Sequence, residues 1–169
     1  MIQPTYEHAG SFSEGLAAAE LETSHGLLYG YIDQTGKVVI QPRFQSAGEF
    51  HEGLAVVNDW ESNQPMTCGY IDKSGALVIG MRFNAAMEFS GGLAAAHPLD
   101  AGWGYIDKTG AFVIQPKYGG GLGSPDPFTP GGLVRVNLDN SGMLDGFGGQ
   151  SEPPWAYIDK TGKIVWQRK

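Results

Sequence analysis

Short apolar runs alternate with polar, glycine-rich punctuation along this chain, and they come in one fixed order four times over. In the clearest copy Leu54-Ala55-Val56-Val57 is followed by Gly69-Tyr70-Ile71-Asp72 and then by Leu77-Val78-Ile79. Runs this short, rich in β-branched and aromatic residues and bounded by turn residues, predict strands rather than helices. Residues 13–22 are rich in Ala, Glu and Leu, as a helix would be. Their alignment with the runs at Leu54 and Leu133 predicts a strand instead, since context overrides weak local propensity.

The second and third runs of each copy read as a β-hairpin. Trp103-Gly104-Tyr105-Ile106-Asp107-Lys108-Thr109-Gly110 leads into Phe112-Val113-Ile114, and near-copies are headed by Tyr29, Cys68 and Trp155. Asp opens such a turn because its carboxylate accepts backbone N–H groups two residues on, and Gly supplies the positive φ the loop needs.

Fixed spacing makes these copies repeats. Ile2, Ile40, Ile79 and Ile114 precede a Gln-Pro-like segment, and Leu16, Leu54, Leu93 and Leu133 each follow a Gly. Tyr31, Tyr70, Tyr105 and Tyr157 head the hairpins. Four units, approximately 1–38, 39–77, 78–112 and 113–169, therefore fill a single domain. The predicted fold is all-β, with four three-stranded antiparallel meanders stacked in a twisted array. One such meander cannot bury its own apolar face, whereas stacked neighbours can. Tyr31, Ile32, Tyr70, Ile71, Tyr105, Ile106, Tyr157 and Ile158 are the expected core or its rim. The Gln41-Pro42-Arg43-Phe44 segment is expected to leave the sheet, because Pro cannot donate to a ladder. A closed, propeller-like ring is the alternative to an open array, since Lys163-Ile164-Val165-Trp166-Gln167 matches the strand that Ile2-Gln3-Pro4 continues.

Composition narrows the function classes. The 169 residues include 26 Gly and only 17% charged residues, which excludes a disordered chain. A net charge of −7 disfavours nucleic acid and favours a basic protein partner. No apolar run approaches the ~20 residues of a membrane-spanning helix. Cys68 is the single cysteine, so no disulfide forms within the chain, and its place among Tyr29, Trp103 and Trp155 marks it as a packing residue. Met1-Ile2-Gln3-Pro4-Thr5-Tyr6 aligns with residues 39–44, so the chain starts inside a repeat, as one whose leader has been removed would. The compartment stays open between bacterial envelope and cytoplasm.

Taken together, these motifs resemble the bacterial WG, or KWG, repeat family. Its signature joins an aromatic-Gly pair, a Tyr-Ile-Asp strand, a Thr-Gly turn, a Val-Ile-Pro segment and a Phe-x-Glu-Gly-Leu stretch. Residues 103–110 match in full; Tyr29 and Cys68 replace the Trp, Ala156 replaces the Gly, and Gly80-Met81 replaces Gln-Pro. The resemblance implies a binding scaffold of the kind found in envelope and secretion-associated proteins and in immunity partners of antibacterial toxins. It implies no catalytic residues.

The residues themselves point the same way. Asp33, Asp72, Asp107 and Asp159 offer one carboxylate per repeat, too few convergent oxygens for Ca²⁺, and fit turn capping. His8, His25, His51 and His97 lack zinc spacing, and Glu14 and Glu52 are equivalent rather than differentiated carboxylates. The 139–146 stretch lacks an EF-hand's terminal Glu, and the 119–124 run lacks the Lys-Ser/Thr of a phosphate loop. No catalytic residue, metal site or cofactor is therefore assigned, and the chain is read as not an enzyme.

Variation concentrates in the connection before each Gly-Tyr-Ile-Asp run, at residues 20–28, 58–67, 97–102 and 137–154. In stacked repeats such connections line one edge, often the binding edge. Trp60, Met66, Met143, Leu144 and Phe147 sit there beside Asp59, Glu61, Asp139, Asp145 and Glu152. Apolar anchors rimmed by acid suit a basic protein partner. The leading function is a non-catalytic protein-binding module of immunity or envelope-adaptor type. The alternative is a cell-wall glycan module using Trp60, Trp103 and Trp155.

Overall fold

The computed structural model describes residues 6, 8–59, 67–119, 125–138 and 154–168. Two units carry the strands, Met1–Glu88 and Phe89–Lys169. The first holds β1 (His8–Ala9), β2 (Leu16–Thr23), β3 (Gly26–Asp33), β4 (Val38–Ala47), β5 (Leu54–Asp59), β6 (Cys68–Asp72) and β7 (Leu77–Ala86). The second holds β8 (Ala94–Pro98), β9 (Trp103–Ile106), β10 (Phe112–Tyr118), β11 (Leu133–Asn137), β12 (Trp155–Asp159) and β13 (Ile164–Gln167). The described residues contain no helix. All described pairings are antiparallel, as in β2-β3-β4, β5-β6-β7, β8-β9-β10 and β11-β12-β13. These are the four expected meanders. Among the described residues β1 ladders with β2 alone and β13 with β12 alone, so the strands close no ring.

Of residues 13–22, expected to form a strand despite a helix-like composition, those from Leu16 onward fold into β2, and Ser13 forms a bridge with Leu16. Both faces of that strand are covered: Leu16, Ala17, Ala18 and Ala19 are all buried. Alanine suits such a place because small side chains let neighbouring layers approach.

The proline segment corrects an expectation. β4 runs unbroken through Pro42, pairing first with β3 through Ile40 and Phe44 and then with β5 through Ser46 and Ala47. The ladder absorbs the proline in a bulge: Tyr31 opposes Ile40 and Tyr29 opposes Phe44, so two residues of β3 span four of β4. A bulge is where a sheet tolerates a residue with no N–H.

That bulge explains the glycine after the aromatic residue. A Cβ on Gly30 would lie 2.5 Å from the Ile40 carbonyl oxygen and 2.8 Å from the Pro42 nitrogen. On Gly69 it would lie 2.4 Å from the Ile79 oxygen, and on Gly104 2.6 Å from the Ile114 oxygen. Side chains cannot approach backbone so closely, so the position must be Gly wherever the bulge is present.

Within each unit the repeats join in one way. The Tyr31 ring meets Phe50 of the next repeat at 4.8 Å, and its hydroxyl donates to the Gly48 carbonyl at 2.8 Å. Tyr105 repeats this with Phe128 at 4.9 Å, donating to the Asp126 carbonyl at 3.4 Å. Ser13 Oγ donates to the Phe50 carbonyl, and Ser90 Oγ to that of Phe128. In the first unit Leu16, Ala18, Tyr31, Ile40, Phe44, Phe50, Ala55, Val57 and Ile71 form one cluster spanning both of its repeats.

Candidate binding edge

Each repeat opens with a hairpin whose register is set at its Leu and Asp ends. Leu16 opposes Asp33, Leu54 opposes Asp72, and Leu133 opposes Asp159. Counting outward from those pairs, the connections leave at comparable places with different lengths. β2 and β3 pair as far as Thr23 and Gly26, leaving Ser24-His25 as the turn. β5 and β6 pair as far as Asn58 and Cys68, and β11 and β12 as far as Asn137 and Trp155. The 20–28 connection expected to be a variable loop is thus mostly strand. Its Leu21 and Leu28 face each other across the ladder and extend the pairing instead of ending it.

Of the expected contact residues, Asp59 ends β5 with its backbone opposite Phe44. Trp60, Glu61, Met66, Asp139, Met143, Leu144, Asp145, Phe147 and Glu152 lie outside the described residues. So does the 139–146 stretch, and so do residues 120–124 of the glycine run. The frame beneath them is described. Ser46 Oγ donates to Asn58 Oδ1 at 2.8 Å, holding the mouth of the second hairpin. Arg135 lies over the Trp155 ring at 5.9 Å and pairs with Asp126 at 3.2 Å beside the mouth of the fourth. In the third, the His97 ring stands edge-on to Trp103 at 5.3 Å, with His97 Nδ1 buried and without a hydrogen-bond partner among the described residues.

The repeated polar residues are engaged in holding the scaffold. In every second hairpin one carboxylate oxygen takes three donors. Asp107 Oδ1 accepts the Thr109 N–H at 2.8 Å, the Thr109 hydroxyl at 2.6 Å and the Ala111 N–H at 3.1 Å. Asp33, Asp72 and Asp159 do the same with Thr35, Ser74 and Thr161. The hydroxyl bond, first, and the backbone bonds hold all four carboxyls below the ordinary value. Glu14 bonds Lys73 at 3.0 Å and the Gly53 N–H, which lowers its pKa, with the Lys73 bond as the main cause. Glu14 therefore ties the first repeat to the second.

Cys68 is buried, and its Sγ lies 3.4 Å from the Phe83 carbonyl oxygen. Burial pushes its thiol up to about 11, so it is a neutral packing group at pH 7. His51 lies between Glu49 and Glu88 at 3.7 and 3.6 Å, and His8 lies 3.7 Å from Glu20. No three His, Cys, Asp or Glu side chains converge as a metal set among the described residues.

One cluster escaped the sequence reading. Trp155, Tyr157 and Trp166 pack together on the fourth meander, with Trp155 and Trp166 5.0 Å apart and Trp155 and Tyr157 5.6 Å apart. Tyr157 is 37% and Trp166 50% exposed, whereas Tyr31, Tyr70 and Tyr105 are at most 1% exposed. The signal was Trp166 itself, a large aromatic where the other repeats carry Ile40, Ile79 and Ile114.

The sequence pattern described as WG containing repeat matches residues 1–22, 29–59, 69–96 and 103–140. No curated protein is similar enough to match. Among solved structures, the crystal structure of the computationally designed Ika8 protein is similar at 12% identity and a TM-score of 0.46. That similarity covers 94% of this chain and 60% of Ika8.

Proposed function

Because this chain belongs to the WG-containing repeat family, we propose that it is a non-catalytic scaffold that binds a protein partner through the open ends of its first hairpins. The observation that carries this reading is the shared register of those hairpins. Strands paired alike from their Leu-Asp ends deliver connections of two residues in one repeat and far longer ones in others. Length that varies where the frame is constant is how a repeat scaffold changes its contacts without changing its fold. The apolar residues Trp60, Met66, Met143, Leu144 and Phe147 supply anchors, and Asp59, Glu61, Asp139 and Asp145 an acidic rim. The partner this suits is a basic protein, which an immunity protein or envelope adaptor would hold.

The non-catalytic reading draws on how the chemically capable groups among the described residues are engaged. The repeated carboxylates cap turns, the thiol is buried and neutral, and no metal set converges among the described residues. The glycan reading loses one platform, since Trp103 is 7% exposed and offers no open face to a sugar ring.

Removing residues 140–149 tests the assignment. The shortened chain should keep its thermal transition and lose capture of the basic partner that the full chain pulls down from lysate and envelope fractions. Undiminished capture would place the contact elsewhere.

A further inference from the structure

The glycine of each Asp turn rests on the strand of the repeat before it, in both units alike. A Cβ on Gly75 would lie 3.0 Å from the Ile40 side chain, and one on Gly162 would lie 3.3 Å from that of Ile114. In the first unit the carbonyl of this glycine receives a donor from the preceding segment. The Tyr6 hydroxyl donates to Gly36, and Arg43 Nη2 donates to Gly75 at 2.5 Å. Arg43 also lies over the Phe44 ring at 4.9 Å, so one guanidinium stacks on its own strand and bridges to the next turn.

The second unit lacks that bridge. Lys117 stands where Arg43 does, and its ammonium lies 5.2 Å from the centroid of the Tyr118 ring, the counterpart of Phe44. Among the described residues Lys117 has no carboxylate partner, and no donor reaches the Gly162 carbonyl. An ammonium is a point charge on a flexible stem and cannot both stack and reach across as the wide guanidinium fork does. A second change falls at the same corner, where Leu138 takes the place of Asp59. A cleft of about 410 Å³ lies there, lined by Lys117, Tyr118, Leu138, Gly162 and Ile164. Its volume is in the range of small-molecule sites, roughly 300–1,000 Å³, and one polar side chain among apolar ones is their usual lining.

We infer that this cleft binds a small apolar carboxylate, its head on Lys117 Nζ and its hydrocarbon body against Tyr118, Leu138 and Ile164. Charge complementarity selects the head. Lys117 is the one charged side chain of the lining, and no acid of the protein competes for it. Lys160, two residues before Gly162, is already committed to the Gly91 carbonyl at 2.6 Å. A single ammonium matches a single carboxylate, whereas a phosphate dianion calls for several donors. Tyr118, Leu138 and Ile164 select the body, since each offers carbon surface that an apolar chain would cover. The inference does not rest on the partner-binding reading above.

Octanoate is the probe, titrated into the full chain while the methyl resonances of Leu138 and Ile164 are followed by NMR. Both should shift saturably. Octanol, which has the body without the charge, should bind roughly tenfold more weakly, the loss of one charge-assisted hydrogen bond. Lys117→Met keeps the stem and removes the charge, and should weaken octanoate by a similar factor. Lys117→Arg is the sharper variant. It keeps the charge, but its guanidinium should bond the Gly162 carbonyl as Arg43 bonds that of Gly75 and span the cleft, so octanoate should again bind roughly tenfold more weakly. An unchanged thermal transition in both variants separates binding from folding. Octanol or octylammonium binding as tightly as octanoate, affinity untouched by either substitution, or no saturable shift would each overturn the inference.

Discussion

The first and fourth meanders are built from the same motif and bury it differently. In β2-β3-β4, Tyr31 and Ile40 are closed over by the following repeat; in β11-β12-β13, Tyr157 and Trp166 face outward. The sheet beneath is equally well made, since Val134, Val136, Ala156 and Ile158 are 3% exposed or less. Pairing thus makes a repeat, but the neighbour decides whether its tyrosine is core. The largest expected effect follows. Tyr31→Ala should cost about 3–5 kcal/mol, as truncation of a buried aromatic does, while Tyr157→Ala should cost less than about 1 kcal/mol, as surface changes do. Urea unfolding of the two variants checks this; equal losses would mean the face at Tyr157 is covered in solution.

How much of this was legible in the sequence follows from the same pair. The strands, their order and the Asp-Gly turns repeat at fixed spacing, and period and turn chemistry are properties of the chain itself. The fate of Pro42 was not legible. Its missing N–H argues for leaving a ladder, and only the opposing Gly30 shows that the ladder makes room for a bulge. The exposure of Tyr157 was hidden as well, because it matches its buried counterparts residue for residue and differs only in what lies next to it. At the candidate edge, the sequence marked where connections lengthen. It overstated the first, where Leu21 and Leu28 continue the strands to a two-residue turn.

A smaller effect separates the same two meanders at the glycine. Gly30, Gly69 and Gly104 sit against backbone in a bulge, whereas the fourth repeat has Ala156 at that place, completely buried and paired directly with Gln167. Ala156 opposite Gln167 and Tyr157 opposite Trp166 follow in step with no register shift between them, so no bulge crowds the methyl group there. Gly69→Ala should therefore lose about 3 kcal/mol through overpacking against the Ile79 carbonyl. The reverse change, Ala156→Gly, should lose only about 0.5–1 kcal/mol, the ordinary cost of glycine in a strand. Denaturant titration of both tests whether the bulge sets the requirement for glycine; an Ala tolerated at 69 would show that it does not.

The smallest effect should not distinguish the meanders at all. The four Asp turns are made alike, each carboxylate oxygen taking a hydroxyl and two backbone donors, and each pKa is lowered. A carboxyl whose pKa is lower folded than unfolded adds stability above its unfolded value of about 3.9. That contribution fades as pH falls from there through the folded value. Asp107→Asn and Asp159→Asn keep an acceptor oxygen but remove the titration. Each should therefore lower the melting temperature slightly at pH 7 and flatten its decline below about pH 4. The two should do so equally, because the turn draws its donors from its own hairpin and needs nothing from a neighbouring repeat. A larger change at 107 than at 159 would extend the dependence on neighbours from the tyrosine face to the turns.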